Sequence, residues 1–392
     1  MTLPQVTVSA KAAKSLRRGN PWCYRTEVVG WPKDALAPGA LVELVDPQRN
    51  PIGQAFSASK SPLALRLVTR RAPKEEALDE KFFRSRLAAA WKRRESLHGR
   101  DAFRVVHGES DQLPGLFIDR YGPALTVQTL SEGAEVRKEL FAKLAAEVTG
   151  LTTVVCRDDA SGRDWEGLKR EKRVLLGSGE TKVRYHEGQN VFEIDLLADA
   201  KTGSFLDQLD NHVRAGELGR GEALDTFSYH GGFALALSRS CTSVIAVEQD
   251  EGAVTRARAN VERNGRQNVA VQHANAFDVL RGFADEGRQF DTVVVDPPGL
   301  AKRKEGLEAA KRAYHELNLR ALKLLRPDGL LVSCSCSGKV SRAIFEEILA
   351  GAAADAKRQV QVLERRGAGI DHPPLAALPE TEYLKAWFLR VL

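Results

Sequence analysis

Two short apolar runs with polar, sterically unusual tips constrain this chain more than any other feature. They are Val293-Val294-Val295-Asp296-Pro297-Pro298 and Leu330-Leu331-Val332-Ser333-Cys334-Ser335-Cys336-Ser337-Gly338. Each reads as a buried strand whose carboxyl end carries reactive groups, and in an open α/β sheet ligands bind at those ends. If the two strands are neighbours, a carboxylate and a thiol face one pocket.

The surrounding residues support such a sheet. Strand signals at 223–227, 243–248, 269–272, 292–296, 330–333, 359–363 and 384–391 have helical stretches between the first six, the alternation of an α/β, doubly wound fold. The amino-terminal part differs. Residues 1–70 carry short alternating runs punctuated by Asp46-Pro47 and Gly53, as expected of a small β-barrel or sandwich. In 79–98, Phe83, Leu87 and Trp91 recur every four residues and predict an amphipathic helix. Strands at 104–107, 116–119, 124–130 and 152–157, with a helix at 135–148, predict a central α+β unit; 158–173 reads as loop, and 182–195 as a hairpin turning at Glu187-Gly188. At 392 residues two or three domains are expected, with boundaries at 1–72, 73–180 and 181–392.

Charge is unevenly distributed. Residues 1–100 hold 19 Lys and Arg against 9 Asp and Glu, whereas the remainder holds 39 against 43. A basic end on a near-neutral body suits a nucleic-acid partner, although a solvated basic face gives the same count. The five cysteines are odd in number and form no C-x-x-C pair, so neither a disulfide framework nor a metal site is expected. No apolar run approaches the ~18 residues of a membrane helix, and residues 1–10 lack a signal-like apolar core, so a cytoplasmic location is expected.

The turn after the first strand of the carboxyl-terminal region is Asp225-Thr226-Phe227-Ser228-Tyr229-His230-Gly231-Gly232-Phe233. Its glycines allow close backbone approach to a ligand, yet the spacing is not G-x-G-x-x-G, which argues against a nicotinamide enzyme. Glu248 ends the second strand, where such folds hold ribose hydroxyls; a surface carboxylate would look the same.

The ordered set Gly203-Ser204-Phe205-Leu206-Asp207-Gln208, the 227–233 turn, Asp296-Pro297-Pro298, Ser335-Cys336-Ser337-Gly338, Asp371-His372-Pro373 and Tyr383-Leu384-Lys385 resembles the bacterial ribosomal RNA large-subunit methyltransferase I family. Gly19-Asn20-Pro21-Trp22 is similar to the start of that family's PUA domain, and the 108–116 and 119–122 segments to its central domain. The resemblance covers nearly the whole chain. It implies a class I methyltransferase sheet in the order 3-2-1-4-5-7-6, a PUA-like β-barrel, S-adenosyl-L-methionine as cofactor and 5-methylcytosine formation in 23S rRNA or a large-subunit assembly intermediate. A homodimer stays open.

Under this resemblance Cys336 is the nucleophile and Asp296 its catalytic partner. Asp225, Phe227, Ser228, His230, Gly231, Gly232, Glu248, Asn275 and Asp296 are the cofactor-binding set. Pro297, Pro298, Lys302 and Tyr314 are the substrate-binding set, and His372 is a weaker candidate. Cys334 reads as a core residue. The chain departs from the family at Leu209 and His212, where arginines are usual, at Asn275, where an acid is usual, and at Gly299-Leu300, where phenylalanine is frequent. Two rival readings remain: an rRNA purine N-methyltransferase with Asp296 essential and Cys336 a bystander, and a non-catalytic RNA chaperone or ribosome-assembly factor.

Overall fold

The computed structural model describes residues 3–301 and 306–392. The chain divides into two compact units, Met1–Tyr185 with Glu193–Leu206 and Asp371–Thr381, and His186–Phe192 with Asp207–Ile370 and Glu382–Leu392.

The first unit begins with β1 (Gln5–Val8), β2 (Trp22–Cys23), β3 (Val28–Gly30), β4 (Leu41–Val45), β5 (Pro51–Ser57) and β6 (Leu65–Thr69), which form one sheet in the order β2-β6-β5-β4-β1-β3. Alternate residues such as Val6, Val8, Val42 and Leu44 point into its core. One short helix, α1 (Ala10–Arg17), falls inside this otherwise β segment. Ser9 caps it, and Ala12, Ala13 and Leu16 form its buried stripe.

Next come α2 (Glu80–Arg93), β7 (Ala102–His107), β8 (Leu116–Tyr121), β9 (Ala124–Thr129), α3 (Glu132–Glu135), α4 (Lys138–Thr149), β10 (Thr153–Asp158) and β11 (Glu171–Leu176). The five strands lie in the order β11-β10-β9-β8-β7. Asp79 caps α2 by accepting the Phe82 N–H, and Phe83 and Leu87 are buried, as the four-residue spacing predicts.

The stretch expected to be loop, 158–173, is instead anchored. It contains a 3-10 turn at Ser161–Glu166 and the start of β11, and Arg163 is fully buried. The Arg163 guanidinium donates to the Lys169 and Thr129 carbonyls and pairs with Glu135 and Asp158. Polar composition hid this order because the ordering groups are themselves charged.

After the hairpin β12 (Lys182–Glu187) and β13 (Asn190–Asp195), which turns at Gly188, the second unit carries the doubly wound sheet. Its elements are α5 (Leu209–Leu218), β14 (Gly221–Asp225), α6 (Gly232–Leu237), β15 (Cys241–Glu248), α7 (Glu251–Arg263), β16 (Val269–His273), α8 (Ala276–Asp285), β17 (Phe290–Val295), α9 (Leu307–Leu324), β18 (Leu325–Ser335), α10 (Arg342–Asp355), β19 (Val360–Arg366) and β20 (Lys385–Val391). The strand order is β16-β15-β14-β17-β18-β20-β19, and β20 is antiparallel to both its neighbours. This is the 3-2-1-4-5-7-6 arrangement that the resemblance implies.

Val293, Val295 and Leu331 join one apolar cluster while Val294, Leu330 and Val332 join another. Both faces of the central strands are therefore covered, which explains the continuous apolar runs in the sequence. Among the described residues no helix is long and apolar enough to cross a membrane.

Candidate active site

The tips of β14, β15, β17 and β18 in the second unit gather most of the candidate residues. Parallel pairing of β14 with β17, Asp225 opposite Val294, and of β17 with β18, Val295 opposite Ser333, aligns their carboxyl ends.

At the β14 tip the chain leaves Asp225 through a tight turn. Tyr229 has φ +47 and Gly231 φ +90, so the turn passes through left-handed backbone that favours glycine. Gly232 is required for another reason. A Cβ there would lie 2.4 Å from Cε1 of His212, whose ring packs beneath the turn. Asp225 Oδ2 accepts the Ala234 N–H at 3.0 Å, while Asp225 Oδ1 and Ser228 Oγ are buried with no hydrogen-bond partner among the described residues. Unpaired buried oxygens carry a desolvation cost of about 1–3 kcal/mol each, and they mark where a polar ligand would be held.

Burial, partly opposed by His212, raises the Asp225 pKa to about 7. Burial works against the charged form of His212 as well, but Glu187 at 2.7 Å, with Asp296 and Asp225 beyond it, leaves its pKa above the ordinary value. His212 thus keeps a carboxylate partner at a position where the resemblance leads one to expect arginine. Leu209, at the other such position, is buried. His230 is stacked on Tyr229 with ring centroids 3.6 Å apart, and burial, with Arg256, lowers its pKa to about 3, so it is neutral. Phe227 is half-buried against the apolar core.

Glu248, at the β15 tip, reaches back to this turn. Its Oε2 accepts the Tyr229 N–H and its Oε1 accepts the N–H groups of Gln249 and Asp250. Asn275 follows β16, is exposed and caps α8 by accepting the Phe277 N–H; its amide donates to Gln249.

The β17 and β18 tips hold the other group. Asp296 Oδ2 accepts from Gln208 Nε2 at 2.9 Å. Pro297 is buried, and Pro298 is exposed. Lys302 lies outside the described residues. A Cβ on Gly299 would stand 3.6 Å from the Cys336 sulfur, an ordinary contact, which places this loop beside the thiol.

Cys336 is half-exposed, whereas Cys334 is fully buried and its thiol is pushed far up by burial and then by Asp296. The end of β18 separates them: Cys334 lies inside the strand and in the core, while Cys336 follows its last residue, Ser335, and emerges at the tip. Tyr314 is fully buried, and its hydroxyl lies 3.0 Å from Ser337 Oγ, which also accepts the Ala301 N–H. Asn318, one turn further along α9, accepts from Ser333 Oγ at 2.6 Å. Tyr314 is therefore a support of the β18 tip.

Sequence reasoning missed two residues here. Gln208 orients Asp296, and Lys385 donates to the carbonyls of Ser337 and Tyr383, both at 2.8 Å. Their only signal was membership of the 203–208 and 383–385 motifs. His372 belongs to the first unit, where it is buried and paired with Asp371 at 2.8 Å, with its ring 5.3 Å from that of His107.

Comparisons with known proteins agree with this architecture. Residues 6–70 match the PUA-like domain family and residues 204–344 the family described as conserved hypothetical protein 95. The chain is 36% identical over 388 residues to ribosomal RNA large subunit methyltransferase I of Erwinia tasmaniensis, with 97% of each chain covered. It is also 36% identical over 382 residues to the protein of that name from Photobacterium profundum, with 95% of this chain and 96% of the other covered. Among solved structures, one described as a SAM-dependent methyltransferase from Streptococcus mutans superposes with a TM-score of 0.82 at 16% identity, covering 99% of this chain and all of the other. One described as a methyltransferase complexed with SAH gives 0.83 at 18%, with both chains fully covered. At these identities the structures show the shared fold.

Proposed function

Because the chain belongs to the ribosomal RNA large subunit methyltransferase I family, we propose that it forms 5-methylcytosine in 23S rRNA, free or within an assembly intermediate, through a covalent cysteine adduct. The unpaired Asp225 and Ser228 oxygens and the open Gly231 turn fit S-adenosyl-L-methionine, with Glu248 and Asn275 beside them. That cofactor, when bound, supplies an electrophilic methyl group.

Cytosine carbon 5 is a weak nucleophile, so the protein's task is to activate the ring. The Cys336 thiolate adds to carbon 6, and the ring electrons move toward carbon 5. Asp296 accepts a hydrogen bond from the ring nitrogen that is protonated as this charge develops. Once carbon 5 carries the methyl group, loss of its proton expels the thiolate and restores the aromatic ring. Cysteine suits both ends of this sequence because its thiolate forms near neutral pH and leaves easily.

The observation that carries the reading is the half-exposed Cys336 sulfur beside Gly299, in the loop that follows Asp296. Reaching a base in folded RNA requires turning it out of its stack. We assign the holding of flanking RNA to the parts 1–72 and 73–180, and the chemistry to 181–392. RNA carrying 5-fluorocytosine at the target should be trapped as a denaturation-resistant adduct, since carbon 5 then has no proton to lose. A product methylated on a base nitrogen, with no adduct, would replace this reading by the N-methyltransferase one.

A further inference from the structure

Lys385 is buried, 2% exposed, at the start of β20 and opposite Ser335 in the antiparallel register. Its ammonium has three donors, and two are taken by the carbonyls of Ser337 and Tyr383. Among the described residues it has no carboxylate partner. Glu382, the carboxylate whose charge acts on it, is exposed and paired with Arg342. Buried cations elsewhere in the chain are treated differently: Lys138 contacts Glu135, Asp158 and Glu171, and Arg94 contacts Asp111. A buried ammonium without an anion is costly, and it persists where an anion is formed during function.

The carbonyl that holds Lys385 belongs to the residue directly after Cys336. We propose that Lys385 is a positioning residue whose charge stabilises the Cys336 thiolate while its two carbonyl bonds fix the tip on which that sulfur sits. This rests on the cytosine mechanism above and specifies how its nucleophile is kept ready. Lys385 gives up no proton in this role. The thiol proton leaves to solvent, and at neutral pH the resulting anion faces the Lys385 ammonium.

Burial, opposed by Cys336 and then Glu382, lowers the Lys385 pKa to about 8, so the ammonium is still charged at neutral pH. The charged or titratable groups around it are Cys336 on the β18 tip, Glu382 before β20 and Arg342 at the start of α10.

The test is the rate of iodoacetamide alkylation of Cys336 against pH in the full chain, read by mass spectrometry of the Cys336 peptide, without RNA or turnover. The other four cysteines are buried and serve as internal controls. The wild-type midpoint should lie below the ~8.5 of a free thiol. Lys385→Met should slow alkylation at pH 7 about tenfold or more by moving the midpoint upward, and Lys385→Arg should restore most of the rate. A wild-type midpoint at or above that of a free thiol overturns the proposal even if Lys385→Met does not fold. So does a folded Lys385→Met that alkylates like wild type. Failure of the cytosine reading would appear separately, as normal turnover of a Cys336 variant.

Discussion

The β14 and β18 tips lie on one edge of one sheet but are completed in opposite ways. At the β14 tip the protein leaves two buried oxygens, Asp225 Oδ1 and Ser228 Oγ, without partners. At the β18 tip it closes the bonding itself, through Tyr314, Ala301 and Lys385 on Ser337 and through Asn318 on Ser333. The contrast separates a region finished by its ligand from one organised in advance. Binding energy should reside mainly at the first and readiness for bond making at the second.

The largest test of this division is Cys336→Ala. Turnover should fall by at least ~10³-fold while cofactor affinity, measured by calorimetry, stays unchanged, and Cys334→Ala should be mild. If Cys336→Ala also weakened cofactor binding, the two tips would not be separable.

Asp225→Asn should act in the reverse sense, weakening cofactor binding by about 1–3 kcal/mol while making the free protein more stable above neutral pH. The sign follows from linkage. A carboxyl with a folded pKa of about 7, against an ordinary 3.8, keeps a proton that the unfolded chain has lost. Stability therefore falls as pH rises from about 4 through about 7, by about 2–4 kcal/mol at most, and asparagine removes that slope. Thermal melts at pH 4.5 and 8 check it: the variant should exceed wild type only at the higher pH.

The smallest effect is expected from Ser337→Ala. It removes the Tyr314 and Ala301 contacts at a cost of about 1–2 kcal/mol in stability and should lower kcat several-fold without changing cofactor affinity. An unchanged kcat would show that the β18 tip does not depend on this network.

The doubly wound sheet was legible because buried parallel strands must be apolar on both faces, and the runs at 293–295 and 330–332 are. The strand order came from the family resemblance, since apolar periodicity carries no information on which strand lies beside which. The separation of Cys336 from Cys334 came from the motif around Cys336, since a strand period of two puts both on one face. What stayed hidden was polar. Arg163 orders a charged stretch through the carbonyls of Lys169 nearby and Thr129 far back in the sequence, and Lys385 looks from its sequence like any strand-edge cation. Asn275 was read as a cofactor-binding residue where an acid is usual, and in the structure its side-chain oxygen caps a helix.

The position of β20 between β18 and β19 sets an order of assembly. Residues 385–391 are made after every other strand of the sheet, yet they occupy an interior place in it. Until they pair, β18 has a bare edge and, on the proposal above, Cys336 lacks the Lys385 ammonium. On the same proposal, the nucleophile would be completed only once residues 385–391 have paired with β18. Ribosome-arrested chains that stop before residue 385 should leave Cys336 as slow to alkylate as Lys385→Met does.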